Sequence, residues 1–227
     1  MKHFYNIKGV FFDLDGTLLD SVGDIHAAVN QMLELASAEP MAMETVTNFV
    51  GKGSSNLVKR VIEAAGLKND ASSHARYLAE FLDIYTAKPA SLTTVFDNVH
   101  KVLRGFQDSG VALGLCTNKP EAPTKNILEQ FGLDAFFKVV VGGDRLPNRK
   151  PDPSMLYLVM KELAVDQCLF VGDSEVDVAT AKAAGVPVAL HTRGYRRTPV
   201  AELCPDFYFG DYADLPFIAN QCFSTFK

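Results

Sequence analysis

The chain has 227 residues, 48% hydrophobic and 22% charged, with a formal net charge of −5. That size and balance suit one large globular domain or a core with an insert, and the acidic charge argues against a nucleic-acid binder, which carries a basic footprint. No apolar stretch approaches the ~20 residues of a bilayer-spanning helix, and Met1–Lys8 lacks the apolar core of a secretion signal, so a soluble, cytoplasmic protein without membrane partners is expected.

The first apolar run, Val10-Phe11-Phe12, reads as a buried strand that opens into Asp13-Leu14-Asp15-Gly16-Thr17. Residues i and i+2 of a strand point to the same side. The two carboxylates therefore emerge together where the strand ends, and Gly16 permits a sharp turn. Like charges this close repel unless a cation or a proton lies between them.

The segment from Ser21 to Leu92 has a different texture. Ile25, Val29, Met32 and Leu33 form one stripe at helical spacing; Leu57, Val58, Val61, Ile62 and Ala65 form a second that stops at Gly66; Tyr77, Leu78, Phe81, Leu82 and Tyr85 form a third. These are amphipathic helices without a convincing strand between them, and their Met and aromatic stripes read as helix–helix core. From Val95 onward, strands alternate with helices. Val111–Cys116, Val139–Val141, Cys168–Val171 and Val186–Leu190 read as strands, and Ala122–Phe131, Ser154–Leu163 and Val176–Ala184 as helices, the last capped by Gly185. Such alternation means βαβ units and a parallel sheet, and continuous apolar strands such as Leu169-Phe170-Val171 suit a sheet covered on both faces. The expected fold is α/β: a Rossmann-like parallel-sheet core made of residues 1–20 and 93–227, with a helical domain, 21–92, inserted after the first strand.

Cys116 and Cys168 sit in strand-like runs as small hydrophobes. The chain has no Cys-x-x-Cys and no His-x-x-x-His pair, so zinc is not expected.

Ligands of parallel α/β sheets bind at the carboxyl ends of strands. The polar residues expected at those ends are Asp13, Asp15 and Thr17, then Thr117, Asn118 and Lys119, then Lys150, and finally Asp173, Ser174 and Asp177. Oxygen ligands suit a hard cation such as Mg²⁺, and hydroxyl, amide and ammonium donors suit phosphate oxygens.

In order and spacing these motifs resemble those of the haloacid dehalogenase superfamily. Asp13-x-Asp15-Gly16-Thr17 is similar to its first motif, Thr117-Asn118 to its second, Lys150 to its third, and Gly172-Asp173-Ser174-x-x-Asp177 to its fourth. The insert sits where the family places its C1 cap. Thr117-Asn118-Lys119-Pro120, Gly142-Gly143-Asp144 and Lys150-Pro151-Asp152-Pro153 resemble segments of the phosphoglycolate phosphatase branch, as does Phe49-Val50-Gly51-Lys52-Gly53 in the insert. Leu92-Thr93-Thr94-Val95-Phe96-Asp97 departs from the Arg and Pro-Gly turn usual in that branch.

The resemblance implies a small phosphorylated metabolite as substrate and Asp13 as the nucleophile that forms an aspartyl-phosphate. It makes Asp15 the general acid and base. Mg²⁺ would be held by the Asp13 carboxylate, the Asp15 main-chain oxygen and the Asp173 carboxylate. Thr117 and Lys150 would hold phosphate oxygens, with Asn118 positioning the loop. Thr17, Ser174 and Asp177 would support the site, Asp177 by orienting Lys150 or backing the metal. Gly51, Lys52 and Gly53 form a candidate specificity loop, Lys52 being placed to meet a second anionic group. Other sugar-phosphate phosphatases and a β-phosphoglucomutase-like mutase keep the same acid pair. A receiver-type phospho-acceptor domain is the non-enzymatic alternative, and steady phosphate release separates it from an enzyme. Oligomeric state stays open between monomer and homodimer.

Overall fold

The computed structural model describes residues 8–87 and 90–225, so the segment read for a secretion signal lies, apart from Lys8, outside the described residues. In chain order the elements are β1 (Gly9–Phe12), β2 (Leu19–Asp20), α1 (Val22–Leu35), α2 (Met43–Thr47), α3 (Ser54–Ala64), α4 (Ala71–Ala87), β3 (Thr94–Val95), α5 (Val99–Asp108) and β4 (Ala112–Cys116). They continue with α6 (Glu121–Gln130), β5 (Val139–Val141), α7 (Ser154–Glu162), β6 (Cys168–Gly172), α8 (Glu175–Ala184), β7 (Val188–His191), α9 (Val200–Leu203), β8 (Phe207–Phe209) and α10 (Leu215–Thr225).

The α/β expectation holds. Six strands form one sheet in the order β5-β4-β1-β6-β7-β8, and every neighbouring pair is parallel. All of β1 is buried, as a strand without polar alternation requires. Its side chains divide between two cores. Val10 and Phe12 pack with α5, α6 and α10, whereas Phe11 packs with α7 and α8. The register sets Phe12 beside Leu115 on one side and Val171 on the other. Asp13, Thr117 and Asp173 therefore leave the same edge of the sheet.

The structure corrects the reading in a few places. The strand expected from Val186 begins at Val188, because Pro187 lacks the N–H that a ladder position needs; its carbonyl instead accepts from Phe170 N at 2.9 Å. β8 and α10 were not anticipated, nor was the short helix α2. β8 is an edge strand of three residues with Tyr208 67% exposed, too short to register as periodic. Leu215, Ile218, Ala219 and Cys222 of α10 close the core beneath α5.

Helices α1, α3 and α4 place the three predicted stripes in a separate core around Val29, Met32, Val58, Ile62 and Phe81. The two crossings between this helical unit and the sheet pair with each other: β2 and β3 are antiparallel, with Leu19 opposite Val95 and Asp20 opposite Thr94. Asp24 at the start of α1 clasps the return crossing. Its carboxylate accepts from the backbone N–H of Ser91, Leu92 and Thr93 and from the Thr93 hydroxyl, the last at 2.6 Å.

Candidate active site

At the carboxyl edge of the sheet, β1 delivers Asp13 and β6 delivers Asp173, while the loop before α7 delivers Lys150. Asp13, Asp173, Asp177 and Lys150 are all buried. Lys150 Nζ donates to Asp177 Oδ1 at 2.6 Å and stands 2.9 Å from Asp13 Oδ1. The second contact is an ion pair without hydrogen-bond alignment, so Asp13 Oδ1 keeps an unused acceptor. Burial pushes the Asp13 carboxyl up from 3.8 to about 6, against the pull of Lys150 and with a further push from Asp177. Asp173 is raised well above its ordinary value by burial, then by the charges of Asp177 and Asp13. Burial alone would lower Lys150, but Asp13 and then Asp177 outweigh it and hold the ammonium charged.

Asp177 has little left to offer a ligand. Its Oδ1 accepts from Lys150, and its Oδ2 accepts from Asp173 N, Ser174 N and Ser174 Oγ. A carboxylate has about four acceptor positions, and these contacts use them to fasten Lys150 and the start of α8. Asp173 is fixed from the other side by the Thr17 hydroxyl at 2.8 Å and Tyr195 N at 2.7 Å. Gly16 is at φ +84°, and a Cβ there would run into the Asp173 carboxylate, so the turn expected after Asp15 needs glycine on both counts. His191 donates Nδ1–H to the Gly16 carbonyl at 3.0 Å; a carbonyl cannot donate, which settles the tautomer. Burial lowers the His191 pKa.

Asp15 is held differently. Both its oxygens accept from Lys119 Nζ, at 3.1 and 3.2 Å, and the Ser21 hydroxyl donates to Oδ1. Lys119 also donates to Tyr85 Oη of α4 at 2.8 Å. Burial opposes the charge on Lys119, yet Asp15 and then Tyr85 raise its pKa. Next in sequence, Asn118 Nδ2 donates to Gly51 O at 3.0 Å and to Lys150 O at 3.1 Å. The helical unit is thus drawn onto the sheet edge by neighbouring residues of one loop. Gly53, at φ +83°, approaches so closely that a Cβ would lie 2.8 Å from Asn118 O.

The cleft between the two parts is lined by Asp13, Asp15, Gly51, Gly53, Tyr85, Thr117, Asn118 and Lys119, among others. Asp13, Asp15, Thr17, Thr117, Asn118, Lys150, Asp173, Ser174 and Asp177 therefore meet at one place, as do Gly51 and Gly53. Lys52 does not: it is exposed and outside the lining, because the loop turns its backbone toward Asn118 and its side chain to solvent. The cation facing the cleft is Lys119, which stood at a predicted strand end but had no role assigned. Tyr85 was read as helix core; its ring does stack on Phe81, with centroids 5.8 Å apart, while its hydroxyl reaches the site.

Tyr195 was also missed. Its hydroxyl accepts from Ser21 N at 2.7 Å and Val22 N at 3.0 Å, and donates to Asp20 at 2.8 Å. It serves as the N-terminal cap of α1, whose own Ser21 makes no side-chain cap. Tyr195→Phe leaves these groups unpaired and is expected to lower stability by about 1–3 kcal/mol, measured by chemical denaturation; an unchanged midpoint would show that water replaces the hydroxyl.

The chain belongs to the haloacid dehalogenase-like hydrolase family, whose sequence profile matches residues 10–191; it is a phosphatase of that family. Among similar proteins, one from Cereibacter sphaeroides (strain ATCC 17025 / ATH 2.4.3) named phosphoglycolate phosphatase is 46% identical, covering 92% of this chain and 96% of its own. A Rhodospirillum rubrum protein of the same name is 43% identical over 92% of this chain and 89% of its own. A crystal structure of a predicted phosphoglycolate phosphatase from Haemophilus somnus 129pt superposes with a TM-score of 0.89 at 30% identity, covering 93% of this chain and 97% of that one.

The donor set fits a hard divalent cation. Asp13 and Asp173 bring carboxylate oxygens into one buried cluster within 4.8 Å, backed by Asp177, whose own oxygens are already occupied. Burial and mutual charge raise Asp13 and Asp173, and Asp13 Oδ1, beside the Lys150 ammonium, accepts no aligned hydrogen bond. Lys150 alone does not offset three buried carboxylates. All-oxygen ligation favours Mg²⁺ or Ca²⁺ over zinc.

Proposed function

We propose that this protein is a Mg²⁺-dependent phosphatase that hydrolyses 2-phosphoglycolate to glycolate and phosphate through an aspartyl-phosphate on Asp13. The observation that carries the reading is the pairing of the two acids with different cations. Asp13 faces Lys150 and Asp15 faces Lys119, which separates a nucleophile from a proton carrier within one cleft. The names of the relatives support the substrate. Helices α1–α4, residues 21–92, serve as a C1 cap over the core formed by 1–20 and 93–227. A cytoplasmic location accords with four cysteines that stand as free thiols. Among the described residues no helix is long and apolar enough to cross a membrane.

In the proposed reaction Asp13 attacks phosphorus in line while the bond to the leaving oxygen breaks and Asp15 gives that oxygen its proton. Asp15 then takes a proton from the water that attacks the aspartyl-phosphate, releasing phosphate and restoring Asp13. Thr117 and Lys150 hold the phosphoryl oxygens, and Asn118 keeps Gly51 and Lys150 in register. Mg²⁺ would be held by the carboxylates of Asp13 and Asp173 and the main-chain oxygen of Asp15, and when bound supplies positive charge against the anionic phosphoryl group. The cap excludes water from the cleft.

A panel of phosphate esters compared by kcat/KM with Mg²⁺ tests the reading: 2-phosphoglycolate is expected to lead, and chelation by EDTA to remove turnover. A wide lead for a sugar phosphate, or one stoichiometric phosphorylation without release, overturns it. Metal binding should also show in stability. The raised folded pKa values of Asp13 and Asp173 mean that the metal-free fold binds more protons than the unfolded chain; their contribution is fully present below pH 3.8 and lost as pH rises through about 6 for Asp13. Mg²⁺ replaces those protons, so the rise in Tm on adding it is expected to grow as pH passes from 5 to 8. A Tm increment independent of pH would detach the metal from these carboxylates.

A further inference from the structure

The contact between Lys119 and Asp15 presents a difficulty. A group that must bring a proton to the leaving oxygen is tied on both of its oxygens to an ammonium. That ammonium is buried, lines the cleft and is shared with Tyr85 of α4. The charge is held by a carboxylate and by this one tyrosine hydroxyl, and among the described residues the carboxylate is its one anionic contact. Such a cation is set to exchange partners when a second carboxylate enters.

Distances say where that carboxylate must lie. A general acid sits about 3 Å from the oxygen it protonates, and Lys119 Nζ is 3.1 Å from Asp15 Oδ1. The ammonium is thus at most about 6 Å from the leaving oxygen. A carboxylate on the carbon next to that oxygen falls within this reach. Lys52, exposed on the far side of the Gly51–Gly53 turn, has no such position.

We propose that Lys119, steadied by Tyr85 of the cap, is the residue that selects the substrate: it binds the carboxylate of an α-phosphooxy acid and in doing so lets go of Asp15, which is then free to take up from water the proton that it gives the leaving oxygen. The inference rests on the phosphoglycolate reading and deepens it. Selectivity arises from the catalytic loop after β4, and the cap contributes by holding the ammonium in place. An ester without the carboxylate leaves Lys119 on Asp15 and is turned over slowly even when bound, so the discrimination appears in kcat as well as KM.

The test compares 2-phosphoglycolate with 2-hydroxyethyl phosphate, which carries CH2OH in place of the carboxylate, in the wild type and in Lys119→Met, Lys119→Gln and Lys119→Arg. The wild type is expected to prefer the acid. A charged hydrogen bond of ordinary strength corresponds to roughly a 10- to 100-fold preference, and Met and Gln should erase it, whereas Arg should keep part. Using the ratio removes any general loss from leaving Asp15 unpaired. A preference that survives in both Met and Gln overturns the inference while leaving the phosphoglycolate reading in place. A wild type that treats both esters alike overturns that reading and the inference together. On the unmodified enzyme, glycolate should inhibit hydrolysis of the neutral ester where ethylene glycol at the same concentration does not; equal inhibition counts against the inference even if no variant folds.

Discussion

Asp13→Asn is expected to abolish turnover, by at least about 10⁴-fold in kcat, as removal of a catalytic nucleophile generally does, while leaving the protein folded. The amide keeps the shape of the side chain but cannot attack phosphorus. The fold should tolerate it because Lys150 retains its 2.6 Å bond to Asp177. The change also removes one of the charges that push Asp173 up. Losing the Lys150 contact and relieving this repulsion act in opposite directions, so the net stability change should stay within about 1 kcal/mol, typical of a substitution with compensating effects. Steady-state rates and a thermal melt on the same preparation decide the matter. Activity within tenfold of wild type would remove Asp13 from the nucleophile role, and a large loss of Tm would make the kinetic result uninterpretable as chemistry.

Lys150→Met is expected to have the largest effect on stability of any change in the site. Nζ is buried between Asp13 and Asp177, and removing one partner of a buried ion pair costs about 3–5 kcal/mol, because the remaining charge is left uncompensated. For a chain of this size each kcal/mol moves Tm by about 2–4 °C, so a fall of roughly 6–20 °C should be seen by calorimetry in metal-free buffer. Asp177→Asn in the Met background should restore part of the loss, since it deletes the uncompensated charge. Mg²⁺ should restore part as well, by supplying positive charge beside Asp13 and Asp173. A fall equivalent to less than about 1 kcal/mol would mean that these carboxylates share protons well enough to dispense with the lysine.

Both arguments use residues that could be named before any coordinates, for a physical reason. A buried strand is recognisable from a few adjacent residues, and in a parallel sheet its carboxyl end is where ligands bind. Val10-Phe11-Phe12 therefore pointed to Asp13, and Leu169-Phe170-Val171 to Asp173. The stripes at Ile25 to Leu33 and at Leu57 to Ala65 likewise announce helices through local spacing, and they form the core they imply. Very short elements escaped, β8 with three residues and α2 with five, but so did two helices of ordinary length, α10 and α5, the latter in spite of Val99, Val102, Leu103 and Phe106 at helical spacing.

What the sequence by itself determined is most strands of the main sheet and many of the helices, the family, and the acids and lysine that end the strands, because each depends on residues close together along the chain. What the tertiary structure decided is which charge meets which. Lys119 finds Asp15 and Tyr85 across separations of 104 and 34 residues, Tyr195 caps a helix 174 residues away, and Lys52, a plausible cation by position, ends in solvent. Nothing local distinguishes a lysine that will be buried against a carboxylate from one that will not. The difference arises where the helical unit lies over the sheet edge and keeps water from one of them, which is why the lysine that lines the cleft becomes visible only in the folded protein.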